Sequence, residues 1–152
     1  MDKQTFSAAV LDCEQTLYRV SMSILKNEKD CEDAVQDAIL AAFQKRDTLK
    51  HEEYFKTWLV RILINVCNRQ LKKKGKAIPT DELTLESTDN CEKRTELHMA
   101  LDNLNPKLRT VIVMYYIEGF SVKEIKSILR IPEGTVKSRL SKGRSELKLQ
   151  LE

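Results

Sequence analysis

SVKEIKSILRIPEGTVKSRLSKGRSELKLQ, residues 121–150, decides the fold. Ser121 with Glu124 three positions later is a capping box, and Phe120 with Ile125 can form the hydrophobic staple beside it. The helix that opens here would pack through Val122, Ile125, Ile128 and Leu129. It stops at Arg130-Ile131-Pro132, because proline disfavours a helical conformation in the residue before it. A second helix restarts at Pro132–Glu133. Two short helices joined by so brief a turn predict a helix-turn-helix, whose second helix enters the major groove of DNA.

Spacing tells the two sides of that second helix apart. At about 100° per residue, Val136, Leu140, Gly143 and Leu147 share one side and face the core. Lys137, Ser138, Ser141, Lys142, Arg144, Ser145 and Lys148 occupy the opposite arc, which contains no acid. Short hydroxyl donors and long cations bond to phosphates and to the acceptors on guanine edges. Gly134 costs a helix about 1 kcal/mol relative to Ala. Near the helix start it leaves room for a phosphate or a neighbouring helix.

Upstream, Asn105 caps a helix with Pro106 at its first position. Its apolar stripe is Leu108, Val111, Ile112 and Tyr115, and Gly119 ends it. Leu97, Leu101 and Leu104 predict a further helix over 92–104. In the first half, Phe6, Val10, Cys13, Leu17, Val20 and Ile24 give an amphipathic helix over 4–26. Ala34, Val35, Ala38, Ile39, Ala42 and Phe43 give another over 30–45, with Asp30 placed to cap it. Residues 46–53 read as a loop. A third helix over 54–74 carries Phe55, Trp58, Leu59, Ile62, Val66 and Leu71 on its apolar side.

The periodicity breaks at 75–91, which contains Gly75 and Pro79. The expected organisation is therefore all-α, with two small helical domains (1–75 and 92–152) joined by a flexible linker, 76–91. A linker of about 16 residues has a root-mean-square span of roughly 20–24 Å.

The 152 residues are 41% hydrophobic and 32% charged, apolar enough for a packed core. The net charge of +3 divides unevenly. Residues 60–76 carry six basic side chains and no acid, residues 77–119 carry four basic and eight acidic, and residues 120–152 carry eight basic and four acidic. Two positive blocks separated by a negative one suit phosphate-binding surfaces. No apolar run is long enough for a membrane span, and the N-terminus lacks a secretory pattern, so the expected location is cytoplasmic. Cys13, Cys31, Cys67 and Cys91 form no Cys-x-x-Cys pair, and His51 and His98 are not spaced as zinc ligands. Reduced thiols, no metal and no cofactor are expected. No phosphate loop or nucleophile–base set indicates an enzyme.

IPEGTVKSRLSKGRSEL, residues 131–147, resembles the region 4 recognition helix of extracytoplasmic-function sigma factors, group 4 of the sigma-70 family. DCEDAVQDAILAAF (30–43) looks like the region 2 segment that docks on core RNA polymerase, and FKTWLVRILINVCNRQLKKK (55–74) like the helix at the −10 promoter element. The three matches stand in family order and cover most of the chain. The resemblance implies a sigma region 2 bundle and a sigma region 4 helix-turn-helix. It also implies binding to the β′ clamp and β flap of core RNA polymerase and to promoter DNA, control by an anti-sigma factor, and no direct membrane insertion.

Carried over residue by residue, Asp33, Gln36 and Asp37 would contact the clamp. Arg61, Asn65, Arg69, Lys72 and Lys73, with Lys74, would approach the −10 element. Thr135, Lys137, Ser138, Arg139, Ser141, Lys142 and Arg144 would contact the −35 element. The loop at 46–54 corresponds to the family's pocket for a flipped −10 base, and Trp58 reads as core. The sequence departs from the pattern at Arg130, where the family usually has Gly, at Asn68, where Asp is common, at Leu63-Ile64, which replace an Ala-Arg pair and leave fewer cations on that helix, and at Gly143, where Ala is frequent. A stand-alone helix-turn-helix regulator remains an alternative, and so does an interaction protein that has lost DNA binding.

Overall fold

A computed structural model describes residues 1–77 and 95–152. Within them lie α1 (Lys3–Leu25), α2 (Glu28–Gln44), α3 (Phe55–Ala77), α4 (Glu96–Asp102), α5 (Pro106–Ile112), α6 (Val122–Leu129) and α7 (Glu133–Leu151). Two 3-10 turns, Arg46–Thr48 and Glu52–Tyr54, lead into α3, and a π-helical turn, Val113–Ile117, follows α5. The described residues contain no strand, so the fold is all-α. The chain divides into two compact units, Met1–Lys72 and Lys73–Glu152. The expected linker lies outside the described residues from residue 78 onward, and α3 itself runs on through Gly75 to Ala77.

In the first unit, Asp2 caps α1 by accepting from the Thr5 amide at 2.7 Å. The second helix starts two residues before its expected position. Asn27, not Asp30, is its cap, and the Asn27 side chain accepts from the Asp30 amide at 2.9 Å. Asn caps as well as Asp, and Asp30 then sits in the first turn, where its charge favours the helix dipole. Ala34, Ala38 and Ala42, all buried, repeat every four residues along α2 and let α1 pack closely against it. At one end of the bundle the Phe6 ring meets Phe43 at 5.4 Å and Phe55 at 5.6 Å, both edge to face, so a single side chain ties α1, α2 and α3 together. Leu59, Val60, Leu63, Ile64, Val66 and Cys67 complete the core from α3, whereas Leu71, expected on this side, is exposed. Cys13, Cys31 and Cys67 are buried free thiols, and burial pushes the Cys67 thiol up to about 12.

In the second unit, α7 packs against α4, α5 and α6. Its core is Leu101, Leu104, Leu108, Val111, Ile112, Met114, Phe120, Ile125, Ile128, Val136 and Leu140. Leu97, expected in this stripe, is 45% exposed, because α4 begins only at Glu96 and Leu97 lies in its first turn. Arg109, only 2% exposed, donates from Nη1 to the Leu104 carbonyl at 3.0 Å. It thereby satisfies a carbonyl left over where α4 ends. Burial lowers its guanidinium below the usual arginine range. The capping box at Ser121 and Glu124 is present in both directions. Gly119 turns the chain at φ +79°, a region that favours glycine.

The turn between α6 and α7 runs through Arg130, held left-handed at φ 57°, ψ 47°. This explains the glycine expected there: a side chain in this region costs roughly 1–2 kcal/mol. Arg130→Gly is therefore expected to raise the unfolding free energy of the chain by about 0.5–1 kcal/mol, once the greater freedom of an unfolded glycine is subtracted. Urea titration followed by circular dichroism checks it.

Candidate nucleic-acid interface

α6 and α7 form the helix-turn-helix expected from the sequence. Val136, Leu140 and Gly143 are buried on the inner side of α7, and Leu147 is half-buried. Lys137, Ser138, Ser141, Lys142, Arg144, Ser145 and Lys148 are exposed on the other side, while Thr135 and Arg139 are half-buried at its margin. Gly134 is exposed, and a Cβ there would meet nothing within 4 Å, so no neighbouring helix requires a glycine at this end of α7.

Gly143 has the opposite surroundings. A Cβ at this position would come to 2.8 Å from Cγ1 and 3.0 Å from Cδ1 of Ile112. The glycine lets α7 approach α5 closely, and that approach sets the rotation of α7 about its own axis. The departure from Ala at this position thus has a packing reason that the spacing alone does not reveal.

Two features of this face escaped the sequence. A groove of about 290 Å³ between α5 and α7 brings Lys107 together with Ser138, Arg139, Lys142 and Glu146. Arg144 donates from Nη1 to the Tyr116 hydroxyl at 3.1 Å. Both join residues some thirty positions apart, and no local pattern signals such pairings.

In the first unit, Asp33, Gln36 and Asp37 are exposed on one side of α2, with Ala34, Val35 and Ala38 buried on the other. Leu40, 59% exposed, extends this side and was not anticipated. On α3, Asn65, Arg69 and Lys72 are exposed, and so is Lys73, the next residue of the helix, where the second unit begins. Arg61 is half-buried, and its Nε finds no hydrogen-bond partner among the described residues. The side chain of Lys74 lies outside the described residues. Leu63 and Ile64 are core residues, so the helix bears fewer cations because two positions serve packing. Trp58 is half-buried with its ring 5.8 Å from that of Phe55. In the loop before α3, the Arg46 guanidinium lies 4.0 Å above the Phe43 ring and donates to the Phe43 carbonyl at 2.8 Å.

Two family models match the chain: sigma-70 region 2 over residues 10–77 and sigma-70 region 4 over residues 94–147. RNA polymerase sigma factor SigV of Bacillus subtilis (strain 168) is 32% identical across 98% of this chain and 95% of its own length. The chain belongs to the extracytoplasmic-function sigma factors. ECF RNA polymerase sigma factor SigW of the same organism is 30% identical, covering 99% of this sigma factor and 90% of the relative. Among solved structures, the sigma factor RpoE of Bartonella quintana, in complex with the anti-sigma factor NepR, superposes with a TM-score of 0.84 at 27% identity over 97% of both chains. CnrH, in complex with the cytosolic domain of CnrY, gives a TM-score of 0.73 at 25% identity, covering 99% of this chain and 89% of that one. Likeness to sigma factors over nearly the whole chain sets aside the stand-alone regulator. Sigma factors are transcription initiation factors, and this one directs RNA polymerase to promoters. Among the described residues, no helix is long and apolar enough to cross a membrane.

The Gly143–Ile112 contact makes a prediction of its own. Gly143→Ala is expected to destabilise the chain by about 1 kcal/mol, overpacking outweighing the gain in helix propensity. In an Ile112→Ala background the same substitution is expected to be neutral or stabilising. A double-mutant cycle in urea measures the difference.

Proposed function

We propose that the two units divide the work of promoter recognition. Residues 1–75 act as sigma region 2: Asp33, Gln36 and Asp37 on α2 engage the β′ clamp of core polymerase. Arg61, Asn65, Arg69, Lys72 and Lys73 on α3 meet the −10 element. Residues 92–152 act as sigma region 4, engaging the β flap and the −35 element. There α7 lies in the major groove, with Thr135, Lys137, Ser138, Arg139, Ser141, Lys142 and Arg144 toward the DNA. The observation that carries this reading is the exposed set Lys137, Ser138, Ser141, Lys142 and Arg144 on α7, opposite a stripe fixed against α5. Cations there bind phosphates, and their hydrogen bonds to base edges discriminate sequence.

Each contact alone is modest, about 1–3 kcal/mol for a good bidentate base contact. Two weak readers carried on one polymerase act at high effective concentration. The protein itself performs no catalysis; the polymerase supplies the chemistry. An anti-sigma factor restrains it in the cytoplasm, a reading supported by the NepR complex of the similar RpoE.

Run-off transcription with purified core polymerase tests the whole reading: the chain should redirect initiation to a new set of promoters. The division of labour makes a finer prediction. Lys137→Ala with Lys142→Ala is expected to weaken −35 recognition by at least about tenfold and leave polymerase binding intact. Gln36→Ala with Asp37→Ala is expected to do the reverse. Pull-down of core polymerase and run-off transcription distinguish the two. Identical defects from both pairs would refute the division.

A further inference from the structure

Val113–Ile117, between α5 and α6, is wound as a π-helix. Such a turn inserts a residue relative to the α-helical register and often occurs at functional sites. Val113 and Met114 are buried, whereas Tyr115 and Tyr116 are 38% and 52% exposed. The periodic stripe expected Tyr115 in the core; the π turn brings it to the surface. The two rings meet edge to face, with centroids 4.9 Å apart and planes at 83°. Tyr115 thus buttresses Tyr116.

Across 28 positions of sequence, Arg144 Nη1 donates to the Tyr116 hydroxyl at 3.1 Å. The bond is solvent-exposed, so it adds little to folding. Its geometry has another use. A phenol that accepts from a guanidinium keeps its own O–H available to donate, and the guanidinium keeps further N–H donors. Arg144 lies seven residues beyond Lys137, about two turns along α7 and within about 20° of it in direction. A helix seated in the major groove meets base edges with its first turns and the sugar–phosphate backbone further along.

We infer that Tyr116 and Arg144 together grip one backbone phosphate of duplex DNA at the flank of α7. The phenolic O–H and the remaining guanidinium N–H groups converge on its oxygens, and Tyr116 also acts as the positioning residue for Arg144. This inference rests on the reading that α7 enters the major groove.

Phosphate contacts are independent of sequence, so the test uses the full chain and a short mixed-sequence duplex, titrated by fluorescence anisotropy over a range of salt. Arg144→Gln should weaken binding and make the slope of log K against log salt shallower by about 0.9, the share of one phosphate. Tyr116→Phe keeps every charge and should weaken binding about three- to tenfold. Adding Tyr116→Phe to Arg144→Gln should cost much less than it does alone, since the two side chains act as a pair. Thermal unfolding of each variant separates a lost contact from a lost fold; were Tyr116→Phe unstable, the slope of Arg144→Gln would decide. Lys137→Ala and Lys142→Ala serve as references. If they weaken binding while Arg144→Gln and Tyr116→Phe match wild type in affinity and slope, the grip is overturned and the assignment of α7 stands. If all four match wild type, α7 does not lie on DNA and both readings fall.

Discussion

The placement of α7 against α5 governs everything the second unit presents to solvent. Val136, Leu140 and Gly143 form the buried stripe, and at Gly143 the helices approach so closely that a single added carbon would overlap Ile112. Interiors are packed to crystal-like density, so a contact of this kind permits little rotation of α7 about its axis. Lys137, Ser138, Ser141, Lys142 and Arg144 consequently lie outward as a set. The capping box at Ser121 fixes where α6 starts, and the turn at Arg130 fixes where it stops and how the chain enters α7. Arg130 holds a left-handed conformation that a glycine would hold without strain, so the geometry of the turn is maintained at some expense in stability.

The first unit solves a similar problem with different means. α2 and α3 each carry one buried and one polar side, and the alanines of α2 allow the close approach that a bulkier stripe would prevent. The acidic and amide groups at Asp33, Gln36 and Asp37 and the cations at Arg69 and Lys72 are therefore exposed on separate helices. The division of labour proposed above requires such surfaces to be distinct. Leu63 and Ile64 show the constraint operating in reverse, since two positions of the cationic helix are given over to the core. The three described thiols are buried in this unit, and the pKa of each lies above the ordinary thiol value, which keeps them from acting as nucleophiles.

Most helices could be read from periodicity because their apolar faces repeat at three- and four-residue steps. The errors cluster where a local signal had competitors. Asp30 and Asn27 are both competent caps, and the choice fell to the one that let α2 begin earlier. Tyr115 continues the α-helical stripe of α5 on paper, yet the π turn shifts the register by a residue and exposes it. Leu97 fits a helical stripe but lies in the first turn of a short helix, where there is less to cover it. The exposed residues of α7 were legible because a regular helix has a fixed angular step. Lys107 and Tyr116 were not, because their partners are distant in sequence.

Local propensity, capping and residue order already specify the all-α class, the helix-turn-helix, the charge blocks and the likeness to sigma factors. Tertiary structure alone decided why Gly143 is glycine, why Arg130 is strained, and that Tyr116 holds Arg144. Those facts depend on distances between helices, and such distances are set by how whole side chains interlock rather than by any local pattern in the chain.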